Sequence, residues 1–336
     1  MRELQTTEVF ETYWKFAAQR QNIYYNRLKG EDQPWSSDKI LQQYRFTNAY
    51  RAADRVSQYL IKEIQYNPQR SSRPDDVFLR TLLFKIFNKI ETWESIELAN
   101  GKPIEASTIN YDRVAKVLSE RMAQSIPIYS AAYIMPSPKF GYDRKFANHL
   151  ALLKKMIEDS LPERLRQRPS LSDVYDLLLS YSGLGPFLAF QFSIDLNYSS
   201  LLNFEEDEFV VAGPGAIDGI SKCFHNYRNY KPAEIIYYVT TNQDKYLNEY
   251  EVKFRPLFGR KLKPIDCQNL FCEISKYARV AHPEVKGVSG RNRIKQSYSR
   301  NYSQLPEPYF PDRWGINNEV KDFIAKYPSI IGRQLV

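Results

Sequence analysis

The stretch Ser180-Tyr-Ser-Gly-Leu-Gly-Pro-Phe-Leu-Ala-Phe-Gln-Phe-Ser-Ile-Asp195 sets two glycines and a proline between two apolar segments. The chain has 13 glycines in 336 residues, yet it spaces Gly183 and Gly185 one residue apart and follows them at once with Pro186. Proline suits the first position of a helix, where an N–H would be unpaired anyway. Ser172 or Asp173 can cap the apolar run before the turn. The region 171–196 therefore reads as helix, tight turn, helix. Such a corner can be plain packing. It can also be a hairpin whose glycines let backbone N–H groups approach a phosphate, helped by the dipole of the second helix.

Outward from the turn, the pattern stays helical. Residues 7–29 keep a period near 3.6, with Arg20 and Arg27 on a shared face. Gly30 to Ser37 is a loop broken by Pro34, and a short helix starts at Asp38. The period over 44–66 predicts the strongest helix of the chain, with Phe46, Tyr50, Ala53, Val56, Leu60 and Ile64 as its apolar stripe. Further helices are expected at 76–95, 109–122, 143–159, 233–250 and 267–279, the last capped by Asp266. Period-2 alternation is almost absent. The fold class expected is mostly α, with residues 1–283 as one helical domain and 284–336 as a basic, less regular segment on it.

Composition narrows the partners. A formal charge of +8, from 47 Lys+Arg against 39 Asp+Glu, favours polyanions, and 25 tyrosines with 19 phenylalanines offer stacking surfaces for bases. Three cysteines and no apolar leader point to a reducing compartment: the cytoplasm, or the nucleus of a eukaryotic cell. No run approaches the length of a membrane span.

Several clusters could carry chemistry. Asp195 ends the second helix of the hairpin, and Glu205-Glu-Asp-Glu208 precedes a second glycine turn, Ala212-Gly-Pro-Gly-Ala216, with Gly213 and Gly215. Asp195 and Asp207 are candidate carboxylates for work on a base drawn out of the stack; a solvated acidic loop and a helix-end ion pair are the plainer readings. Arg45, Asn48, Arg51 and Asp54 can hold a phosphate, or Arg51 and Asp54 can be an intrahelical salt bridge. Glu273 can reach Lys276 and Tyr277 one turn on. Cys223, His225, Cys267 and Cys272 match no usual zinc spacing, so no metal is expected, and His282 is the one base in sequence reach of Cys272. From Lys286 to Leu305 there are five basic residues and no acid; Arg291 and Arg293, interleaved with Tyr298 and Tyr302, suit a sugar–phosphate backbone or form a solvated basic surface. A P-loop motif, Gly-x-x-x-x-Gly-Lys-Ser/Thr, is absent.

As an ordered series, several blocks resemble the helical domain of 5-hydroxymethyluracil DNA kinases, a family also described as α-glutamyl/putrescinyl-thymine pyrophosphorylases. The blocks are Pro34-Trp35 with Asp38, Tyr44 to Gln58, Phe78 to Trp93, Gly183 to Ala189 through Asp195, Phe209 to Ala216, Phe271-Cys-Glu273 with Lys276-Tyr277, and Phe310-Pro-x-x-Trp-Gly315. The resemblance implies a multi-helix fold like that of helix–hairpin–helix DNA glycosylases and a role in thymine hypermodification of DNA in bacteriophages and their hosts. It implies displacement of pyrophosphate from an activated 5-hydroxymethyl group by an amine or amino acid, the phosphorylation being left to a separate P-loop kinase. On this reading Asp195, Asp207 or Glu273 deprotonates the amine, Arg51 or Lys276 meets the departing charge, and no cofactor is needed beyond the amine co-substrate. Two other readings use the same residues: a glycosylase that excises a modified base, and a non-catalytic DNA-binding partner of the kinase.

Overall fold

The computed structural model describes residues 4–132, 134–299 and 305–327. Among them are fifteen α-helices and no strand. In chain order they are α1 (Glu8–Leu28), α2 (Lys39–Gln43), α3 (Arg55–Tyr59), α4 (Pro74–Phe87), α5 (Ile90–Asn100), α6 (Tyr111–Ala123), α7 (Lys145–Glu158) and α8 (Leu161–Arg166). Then come α9 (Leu171–Leu179), α10 (Pro186–Asn197), α11 (Pro214–Cys223), α12 (Pro232–Thr241), α13 (Gln243–Glu249), α14 (Pro264–Ala281) and α15 (Asn317–Ala325). None of the helices among the described residues is long and apolar enough to cross a membrane.

The chain divides into two compact units. One joins its two ends, residues 1–54 and 206–336, and the other is the continuous stretch 55–205. The basic segment after residue 283 falls in the same unit as α1 and α14.

Local chemistry explains most helix ends. Thr7 caps α1, whose first turn carries Glu8 and Glu11 and whose last turn carries Arg27, each charge set against the helix dipole. Proline opens α4, α10, α11, α12 and α14. Ser170 caps α9 by accepting from Asp173 N at 3.1 Å, so neither Ser172 nor Asp173 is the cap.

Three expected helices differ. The stretch 44–66 is no single helix. Tyr44 and Tyr50 have extended backbones, Arg51–Ala53 is one 3-10 turn, and helix resumes at Arg55 before widening to a π-helix over Leu60–Gln65. Arg51 and Asp54 therefore do not share a helix face. The expected helix 76–95 breaks at Asn88, whose left-handed backbone (φ 50°) ends α4 before α5 begins. The expected helix 233–250 is interrupted at Asn242.

In the unit 55–205, α4 is buried on every side from Asp76 to Phe87, as a central helix requires. Lys85 on it pairs with Asp195 of α10 at 3.4 Å, both side chains almost wholly excluded from solvent. In the other unit α11 lies against α14 at backbone distance. A Cβ on Gly215 would fall 2.3 Å from Cys272 Sγ, and one on Gly219 would fall 1.9 Å from Phe271 O. Only glycine allows that approach.

Candidate functional site

α14 presents Asp266, Asn269, Glu273, Lys276 and Tyr277 along one face, a spacing of three to four residues. Opposite them runs the irregular segment 44–54. Beyond Arg45 the segment has no strand beside it among the described residues. It must find other partners for its N–H and C=O groups, and here side chains supply several of them. Thr47 N donates to Glu273 Oε2 at 3.1 Å, Arg51 N to Asp266 Oδ1 at 3.0 Å, and Asn269 Nδ2 to Thr47 Oγ1 and Asn48 O, both at 3.1 Å. From α1, Arg20 donates through Nε to Thr47 O at 2.9 Å and through Nη2 to Asn48 Oδ1 at 3.0 Å. The segment is closed on itself by Asn48 N to Asp54 Oδ1, 2.8 Å, and Asn48 Nδ2 to Ala53 O, 2.8 Å.

This folding concentrates charge. Glu273 Oε2 takes Lys276 Nζ at 2.7 Å, and the same ammonium reaches Arg45 O at 3.4 Å. Burial pushes the Asp54 carboxyl up to about 6, with the Glu273 charge adding to the rise and Arg20 and Arg51 opposing it. Asp54 therefore exchanges its proton near neutral pH, with the Arg20 and Arg51 guanidiniums and the Glu273 carboxylate around it. Asp266 is pushed up to about 7, again chiefly by burial, but its two oxygens are committed to Arg51 N and Lys263 N.

The basic segment lies beside this cluster. Arg45 N donates to Gln296 O at 3.0 Å, Tyr298 N to Gln43 O at 2.8 Å, and Tyr44 and Ser297 form an antiparallel bridge. Ser289 N donates to Asp218 Oδ1 at 2.7 Å, and Arg279 Nη1 to Arg293 O at 3.1 Å. Arg45, Arg291, Arg293 and Lys295 remain exposed along the strap so formed. Tyr302 lies outside the described residues.

Six of the residues singled out in the sequence thus meet in one place: Arg45, Asn48, Arg51, Asp54, Glu273 and Lys276. Arg51 is buried there and not on a surface. Glu273 reaches Lys276, whereas the Tyr277 hydroxyl donates to Asp38 Oδ2 at 2.6 Å. Arg20 was missed as a site residue; its spacing with Arg27 on α1 was the available signal. Asp207 is exposed and ion-paired with Lys263. Its neighbour Glu206 is the buried member of the acidic run, taking Arg260 Nη2 at 3.1 Å, Arg313 Nη2 at 2.9 Å and Trp314 Nε1 at 2.9 Å. Asp195 lies in the other unit, paired with Lys85.

The two glycine turns part company. At the α9–α10 hairpin, Gly183 has φ +84°, a conformation in which other residues are strained, and Gly185 is exposed with open space where a Cβ would stand. At the second turn Gly213 is buried and Gly215 abuts Cys272, so those glycines serve helix packing. Burial pushes the Cys272 thiol up to about 12, far from a nucleophilic thiolate, and His282 faces Thr12 instead, 2.8 Å from its Oγ1.

Residues 7–287 match the family described as "5-hmdU DNA kinase, helical domain". A Bacillus phage SP10 protein named "5-hmdU DNA kinase" is 24% identical over 289 residues, 80% of this chain and 45% of that protein. The chain therefore spans less than half the length of that relative. No solved structure matches.

Proposed function

Because the chain belongs to the 5-hmdU DNA kinase helical-domain family, we propose that it acts on DNA containing 5-hydroxymethyluracil, as a transferase working on an activated form of that base. The observation that carries the reading is the Asp54 carboxyl, raised to about 6 and sharing its surroundings with Glu273, Arg20 and Arg51. In the proposed step an amine or amino acid attacks the 5-methylene carbon. Its nitrogen forms the new C–N bond and gives a proton to ionised Asp54. The C–O bond breaks, and pyrophosphate leaves with the electron pair toward Lys276 and exposed Arg45. Glu273 holds Lys276 and orders the loop. Asp54 takes the part that sequence alone gave to Asp195, Asp207 or Glu273. Asp195 is buried in an ion pair and Asp207 is tied to Lys263 at the surface, whereas Glu273 is engaged by a backbone N–H and an ammonium.

DNA itself is held, on this reading, by the strap that carries Arg291, Arg293 and Lys295. Activation of the hydroxymethyl group is the work of a separate P-loop kinase activity, since no such motif occurs in this sequence. The test is nucleoside mass spectrometry of 5-hydroxymethyluracil DNA, with and without prior pyrophosphorylation, after incubation with the protein and an amine pool. A heavier nucleoside made only from pyrophosphorylated DNA, and lost in Asp54→Asn, is expected. Abasic sites would mean base excision instead, and binding without turnover would leave a recognition module.

A further inference from the structure

Away from this cluster, the start of α1 and the exit of α14 bring together Glu8, Thr12, His282 and Glu284. His282 Nδ1 stands 3.4 Å from Glu8 Oε1 and 3.6 Å from Glu284 Oε1. The ligand atoms of these three residues all lie within 4.8 Å of one another. The imidazole is largely buried and the carboxylates are open to solvent.

Two features of this arrangement fit a bound cation. The first is the proton on the ring. Thr12 Oγ1 donates to Glu8 O at 3.2 Å, so its hydrogen is used and its oxygen accepts from His282 Nε2 at 2.8 Å. With the proton on Nε2, this contact turns the unprotonated Nδ1 toward two anions; a metal-binding histidine is commonly oriented in this way through its other nitrogen. The second is distance. Charge-assisted N–H···O bonds run at about 2.7–2.9 Å, well below both contacts. Ligands about 2.1 Å from a tetrahedral ion stand about 3.4 Å apart, the edge that bond length implies. Both nitrogen–oxygen separations, 3.4 and 3.6 Å, lie near that edge, a spacing that an ion pair such as Arg55–Glu91 at 3.6 Å also shows.

We propose that Glu8, His282 and Glu284 bind one divalent first-row transition cation, with Zn²⁺ as the representative ion. One imidazole nitrogen and two carboxylate oxygens suit Zn²⁺ better than Mg²⁺, which prefers six oxygens, and three protein ligands leave a position for water. The cation links residue 8 to residues 282 and 284. It thereby fastens α1 to the point where the chain leaves α14 for the basic strap.

The experiment is isothermal titration of the metal-stripped full chain with Zn²⁺ and with Mg²⁺, paired with thermal unfolding. One Zn²⁺ per chain, a rise in Tm of several degrees, and no competition from equimolar Mg²⁺ are expected. His282→Gln and Glu284→Gln should each weaken Zn²⁺ binding by tenfold or more, and Thr12→Val by about tenfold through the ring orientation. Glu284 is exposed, so its variant keeps the metal-free Tm and tests the site even if His282→Gln folds poorly. Binding unchanged in both ligand variants would assign the zinc to the thiols and overturn the proposal. A Tm indifferent to Zn²⁺, or equal binding of Mg²⁺, would overturn it as well.

Discussion

Thr47 gives its backbone N–H to the Glu273 carboxylate at 3.1 Å, and Lys276 meets the same oxygen at 2.7 Å. One buried oxygen therefore fixes both the loop that carries Asp54 and the Lys276 ammonium. Glu273→Ala strands an amide and a partly buried cation, which should cost about 2–4 kcal/mol. Glu273→Gln keeps an acceptor and should cost less than half as much. Urea denaturation of the two variants measures the difference. Equal losses would mean that charge alone, and not the amide bond, holds the loop.

Asp54 sets a pH dependence with a definite sign. Its pKa of about 6 in the folded protein lies above the ordinary aspartate value of 3.8. The stability it contributes is full below about pH 4 and is lost as pH rises through about 6, on the order of 2–3 kcal/mol. Asp54→Asn keeps an acceptor for Asn48 N, so it should be the more stable protein at pH 7.5. Its stability should also fall less steeply between pH 4 and 6, the remaining slope coming from Asp266, pushed up to about 7. Turnover should rise over the same interval in the parent and be absent in the variant. Denaturation midpoints and initial rates across pH 4–8 check both halves.

Lys85 and Asp195 are a buried pair in the unit 55–205. Asp195→Ala leaves a charged lysine in the interior and should cost about 3–5 kcal/mol, whereas Lys85→Met with Asp195→Leu should recover much of that. Turnover in the double variant marks Asp195 as structural; a stable but inactive double variant would return it to the chemistry.

Exposed Arg45, Arg291 and Arg293 should act through charge. Each alanine substitution should leave Tm within a degree or two and lower the salt dependence of DNA binding by about one counterion. Fluorescence anisotropy over a salt series reads the slope. Unchanged slopes would remove the strap from the DNA interface.

The glycines divide by what surrounds them. Gly219→Ala drives a methyl group into the carbonyl of Phe271 and should cost several kcal/mol. Gly185→Ala meets open space and should leave stability nearly unchanged. Differential scanning fluorimetry separates the two.

Much of this was legible in the sequence, where local chemistry decides structure. Pro186 at the start of α10, the short helix opening at Asp38 and the turn at Gly183–Pro186 behave as their residues require. Residues 44–54 did not read correctly. Phe46, Tyr50 and Ala53 imitate a helical stripe, but Asp266, Asn269 and Glu273, more than two hundred positions later, offer the backbone better partners. No local pattern encodes that competition. The acidic run 205–208 shows the same limit, because Arg260 and Arg313 decide which of its members is buried.

α14 has the loop bearing Asp54 along one side and α11 wedged against another by glycine. The strap hangs from Ser275 through Asp218, and from Arg279. Such a helix behaves like the spine of a book, to which every leaf is sewn. A displacement of α14 would therefore disturb the loop bearing Asp54 and the basic strap together, since both are hydrogen-bonded to it.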